Sequence, residues 1–119
     1  MSNQTSYRKI EQEILPHYRN RLNQAESTED VKKFFNYAMQ ELFEKIFSHI
    51  KIDFEDIRLT PNSTCTYELA DTIKNNPDII SVFNSSELGQ IMQKLAESAL
   101  NRYKHLEKNP ERTNAKIRN

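Results

Sequence analysis

The chain has 119 residues, 29% of them charged and 36% hydrophobic, with 17 Lys and Arg balanced by 17 Asp and Glu; this bounds it to one domain with a single modest core. Its one glycine, Gly89, excludes the Gly-rich dinucleotide turn, the phosphate-cradling loop and the nucleophile elbow, each of which needs two or more glycines at fixed spacing. Its one cysteine, Cys65, excludes an internal disulfide and a Cys-pair zinc site.

Apolar residues recur at spacings of three and four, so the expected fold class is all-α. In Ser6 to Leu22, residues Tyr7, Ile10, Ile14, Leu15, Tyr18 and Leu22 share one helical face and Pro16 falls opposite, where it is expected to kink the helix. A polar connector, Asn23 to Glu26, leads to Ser27 or Thr28 followed by Glu29 and Asp30, a good helix start with a capping hydroxyl and first-turn anions. From Val31 to about Ile50 the apolar set covers an arc of roughly 220°, about twice the stripe of a one-sided surface helix. A helix with so wide an apolar arc must touch two neighbours, or a neighbour and a partner chain.

Lys51 to Thr64 reads as a loop with a short helical turn over Asp53 to Arg58, because a lone strand there has nothing to pair with. Pro61, Asn62 and Ser63 mark a turn. A short helix is expected over Thr66 to Lys74, ended by Asn75 and Asn76 in the left-handed cap conformation, and a second over Pro77 to Phe83. Asn84 with Glu87 suggests a capping box opening the last long helix, whose apolar side runs from Leu88 to Leu106. The expectation is a small irregular helical bundle of three longer and two short helices: residues 1–108 form one domain and residues 109–119 a flexible basic C-terminal tail.

Charge is unevenly placed, with net values of +2 over residues 1–24, −3 over 25–60, −3 over 61–101 and +4 over 102–119. The densest acidic surface is Asp53, Glu55 and Asp56; the basic tail carries Arg102, Lys104, Lys108, Arg112, Lys116 and Arg118. His17, His49 and His105 fall on different expected helices without metal-ligand spacing, and the acidic cluster lacks the glycine and later Glu of a calcium loop. No metal, cofactor or catalytic residue is therefore assigned. The start, Met1 to Thr5, lacks the pattern of a secretory signal, and no run of 18 apolar residues occurs, so a cytoplasmic protein away from membranes is expected.

The aromatic residues Phe34, Phe35, Phe43 and Phe47 are the expected partner interface, since the arc they belong to exceeds what one neighbour covers. The resulting functional expectation is a non-catalytic protein-interaction or regulatory module, self-associating as a homodimer through this face. Two alternatives stand beside it: a nucleic-acid accessory protein using the basic termini, and a small inhibitor or immunity-type protein acting through the acidic surface. The 66–90 region, with Lys74 its one cation, does not suit a DNA-reading helix.

Overall fold

Ser27 opens the central helix of the fold: its backbone is extended and its Oγ accepts a hydrogen bond from the Asp30 N–H at 3.1 Å. The computed structural model describes residues 7–47, 50–61 and 63–108. In chain order these form α1 (Arg8–Gln24), α2 (Thr28–Ile46), β1 (Ile57–Leu59), β2 (Tyr67–Leu69), α3 (Asp71–Lys74), α4 (Pro77–Ser85) and α5 (Leu88–Lys108). The three longer and two short helices of the expected bundle are present. The expected tail, residues 109–119, lies outside the described residues, as do His49 and Asn62.

Four side-chain bonds fix the relative direction of α1 and α5. The Tyr7 N–H donates to Glu87 Oε1 at 3.2 Å, the Tyr18 hydroxyl donates to the Leu95 carbonyl, and Arg102 donates to the carbonyls of Asn23 and Ala25 at 3.1 and 3.0 Å. Both helices therefore run the same way. Lys45 near the end of α2 pairs with Glu13 at 3.7 Å, and Lys32 near its start lies 5.8 Å from the centre of the Tyr103 ring, so α2 runs against both. The wide apolar arc of α2 is covered from within the chain: Val31, Phe35, Met39, Leu42 and Phe43 are fully buried among residues of α1, α5 and β1.

After Phe47 the chain climbs back along α2, with Gln40 Nε2 donating to the Ile52 carbonyl at 3.2 Å and the Tyr37 and Phe54 rings 5.2 Å apart. Here the structure corrects three expectations. The helix ends at Ile46 rather than Ile50, because Phe47 turns extended. In place of a helical turn over Asp53 to Arg58 and a helix from Thr66, there is an antiparallel hairpin with Ile57 opposite Leu69, Arg58 opposite Glu68 and Leu59 opposite Tyr67. It is extended by bonds from the Thr60 N–H to the Thr66 carbonyl (3.1 Å) and from the Ala70 N–H to the Asp56 carbonyl (2.8 Å). Ile57 and Leu59 point into the core, and Tyr67 and Leu69 sit beside them on the same face, half-buried. Tyr67 to Leu69 is the pairing partner whose absence argued against a strand.

Pro16 lies on the exposed side of α1, which runs through it as one helix. Asn75 and Asn76 do not take the left-handed conformation; instead Asn76 Oδ1 accepts from the Asp78 and Ile79 N–H groups at 2.9 and 3.3 Å and caps α4, with Pro77 in the first turn. The opening of α5 is set by Ser86 rather than Asn84: its Oγ accepts from the Leu88 N–H at 3.2 Å and donates to the Val82 carbonyl at 2.6 Å. Gly89 follows without positive φ, and a Cβ placed there would lie 3.4 Å from the Phe83 ring. Among the described residues no helix is long and apolar enough to cross a membrane.

Candidate functional site

Residues on α2 at 29, 32, 33 and 36 share one side of the helix, and the climbing segment and β1 run beside that side. Between them lies a cleft of about 380 Å³. Asn36 belongs to the stripe of Met39 and Phe43 and is only 6% exposed; it lines the cleft, and its Oδ1 has no hydrogen-bond partner among the described residues. A buried carbonyl oxygen left without a donor is costly, on the order of 1–3 kcal/mol.

The charged residues around the cleft divide into two groups. Each cation is already engaged: Lys33 with Asp30 at 3.9 Å, Arg58 with Glu68 at 2.7 Å, and Lys32 over the Tyr103 ring. The carboxylates of Glu29 and Glu55, which also line the cleft, have no hydrogen-bond or ion-pair partner among the described residues. The lining as a whole carries three carboxylates, Glu29, Asp30 and Glu55, and three cations, Lys32, Lys33 and Arg58, so its charge is balanced. Phe54 closes one side, and its ring leans on Tyr37 with an interplanar angle of 58°. Tyr37 and Phe54 are 43% and 37% exposed, which makes them the exposed aromatic rings of the described chain.

The expected interface set lies elsewhere. Phe35, Phe43 and Phe47 are buried in the chain's own core, Phe43 against Phe47 at 5.4 Å, and Phe34 is half-buried. The exposed rings are instead Tyr37 and Phe54. Of the acidic set, Asp56 Oδ2 accepts the Asp53 N–H at 2.8 Å and so holds the turn that enters β1, while Glu55 reaches the cleft. Of the basic set, Arg102 is spent on the C-terminal carbonyls of α1, Lys104 and Lys108 are exposed, and Arg112, Lys116 and Arg118 lie outside the described residues.

His17 and His105 are exposed, and Glu13 pairs with Lys45 rather than forming a site with His17. Among the described residues no group of three His, Cys, Asp or Glu stands close enough to hold a metal ion. Cys65 is exposed in the hairpin loop, and burial first and the Cys65 charge second push the Tyr67 phenol above its usual range. Glu11 was not singled out from sequence; it is 3% exposed and lies between Arg8 (3.5 Å) and Lys94 (3.6 Å), joining α1 to α5.

Two signals for the cleft were present in the chain. Tyr37 is an aromatic on the polar strip of α2, in line with Lys33, Gln40 and Glu41, and Asn36 is a polar residue on its apolar stripe. Compared with protein-family models, curated proteins and solved structures, the chain matches none of them.

Proposed function

We propose that this chain is a non-catalytic binding module that docks a protein partner through Tyr37, Phe54 and the cleft beside them. The observation that carries the reading is the aromatic pair itself: two rings in mutual contact, each more than a third exposed, at the edge of a cleft. Single exposed apolar residues are ordinary on protein surfaces, whereas adjoining aromatic rings are enriched where partners bind. Both rings are held on rigid supports, Tyr37 on α2 and Phe54 on a segment fastened by the bond from Gln40 to Ile52.

The test uses the double variant Tyr37→Ser with Phe54→Ser, whose unchanged helical circular dichroism shows that the fold survives. Proteins from a cell extract retained by the native chain are expected to be absent from the variant. An unchanged set of retained proteins overturns the reading. Native mass by light scattering, recorded at low and high salt with absorbance at 260 and 280 nm, identifies two other occupants. A salt-resistant dimer abolished by the double variant makes a second copy the partner, and a 260 nm signal stripped by salt transfers the function to nucleic acid.

A further inference from the structure

We propose that the outer edge of β2 receives an extended segment of a protein partner, which adds to the hairpin as a third strand with apolar residues at alternate positions. This surface goes beyond the docking reading above, since it is built from β2 and its neighbours and includes neither Tyr37 nor Phe54. The bonds from the Thr60 N–H to the Thr66 carbonyl and from the Ala70 N–H to the Asp56 carbonyl set the phase of the ladder. Asp56 with Ala70, Arg58 with Glu68 and Thr60 with Thr66 are its hydrogen-bonded pairs. Ile57 with Leu69 and Leu59 with Tyr67 are therefore the pairs between them, and the N–H and C=O groups of Tyr67 and Leu69 point away from β1. None of these four groups has a hydrogen-bond partner among the described residues.

The edge is also open. β1 packs against α2 and α5 on one side and against β2 on the other, so β2 is the outer strand. Beside it lies a groove of about 690 Å³, lined by all three residues of β2 and none of β1, and completed by the hairpin loop, Lys74 of α3 and Gln93 of α5. Tyr67 and Leu69 are half-buried, whereas Ile57 and Leu59 opposite them are buried. Two donors and two acceptors repeated at a spacing of two residues, roughly 7 Å, match the edge of an extended backbone, which no single side chain reproduces. Opposite residues in adjoining strands share a face, so the residues paired with Tyr67 and Leu69 lie on the core-facing side, where apolar side chains complete the burial of both. The residue between them lies beside the exposed Glu68 and faces water. β2 carries neither the proline nor the lysine that blunts an edge strand. A second copy of β2 suits this edge less well: the antiparallel register that uses all four groups places Glu68 directly opposite Glu68 of the other copy, and like charges so placed are destabilising.

The experiment is an NMR titration of the full chain, labelled with nitrogen-15, with the strand-forming peptide acetyl-Thr-Val-Thr-Val-Thr-amide as probe. In the free chain the Tyr67 and Leu69 amides should exchange with water faster than the Glu68 amide, which is bonded to Arg58 across the hairpin. Adding the probe should give saturable shifts at Tyr67, Leu69 and the Gln93 side-chain amide, and should slow exchange at Tyr67 and Leu69 several-fold. Two further probes change the peptide backbone and leave the protein intact. Methylating the N–H of both valines removes the two donors that face β2 and should weaken binding about ten-fold or more, whereas methylating the central threonine, whose N–H faces away, should leave it nearly unchanged.

Equal binding of the two methylated probes overturns the proposal, because side chains alone then hold the peptide. A lack of saturation at Tyr67 and Leu69 with the unmethylated probe overturns it as well. Amides of Tyr67 and Leu69 that are protected in the free chain, increasingly so with concentration and together with a dimeric mass, give the edge to a second copy and also overturn it. The two readings fail separately, since the Tyr37→Ser, Phe54→Ser double variant should bind the probe as the native chain does, whatever becomes of its captured proteins.

Discussion

Replacing Tyr18 by Phe removes one oxygen from the centre of the bundle and should produce a stability difference that changes sign with pH. Tyr18 is 2% exposed, and its hydroxyl joins α1 to the Leu95 carbonyl of α5. That carbonyl lies inside α5 and keeps its helical bond in the variant, so the loss at pH 7 is one net hydrogen bond, about 1 kcal/mol, or about 3–5 °C in Tm. Burial pushes the Tyr18 phenol well above its usual value. Because the folded pKa is the higher one, its contribution is fully present below the unfolded value of about 10 and is lost as pH rises past it. Each further unit removes up to ~1.4 kcal/mol from the native chain and nothing from Tyr18→Phe. The two should be equally stable about one unit above the unfolded pKa, near pH 11, with the variant the more stable at pH 11.5. Tyr67, also shifted upward, is common to both and cancels in the difference. Urea unfolding followed by circular dichroism at pH 7, 10, 11 and 11.5 measures the gap. A gap that holds constant to pH 11.5 would refute the burial of this phenol.

Arg102→Met removes both bonds to the Asn23 and Ala25 carbonyls and a cation from the C-terminus of α1; a loss of about 2 kcal/mol is expected in urea unfolding, with Arg102→Lys recovering only part of it. Gly89→Ala adds a methyl in ordinary contact with Phe83 within the first turn of α5 and should stabilise by about 0.5–1 kcal/mol, read as a rise in Tm. A fall in Tm would mean that the methyl does not fit beside the Phe83 ring as an ordinary contact.

Long, periodic elements were legible in the sequence. The Ser27 start, the central position of α2 and the apolar side of α5 follow from spacing and capping chemistry, and the structure has them. The hairpin was missed because each strand is three residues long, and Ile57–Arg58–Leu59 read alone fits a turn as well as a strand. Its signature lies in the pair: two apolar-polar-apolar triplets with Arg58 and Glu68 in register, separated by turn residues around Pro61. The interface expectation went to Phe34, Phe35, Phe43 and Phe47 because a wide apolar arc shows that a helix is covered on several sides but not by what. α1, α5 and β1 supply the cover from regions up to about half the chain away, and no local pattern encodes that. The cleft depends on the same nonlocal fact, since Asn36 and Glu55 meet only after the chain has turned back along α2.

The shared direction of α1 and α5 also determines how the molecule answers to mechanical load. Tyr7 lies at one end of the bundle beside Glu87, while the last turns of α5 lie at the other end beside Asn23. Tension applied between Tyr7 and Lys108 drags the two helices in opposite senses along their common axis. The Tyr7 to Glu87, Tyr18 to Leu95 and Arg102 to Asn23 attachments are then loaded together in shear instead of being peeled one after another. A chain held this way yields at a higher force when stretched from its ends than when α2 is pulled away from its neighbours, and its lifetime under tension is set by the unfolding rate rather than by equilibrium stability.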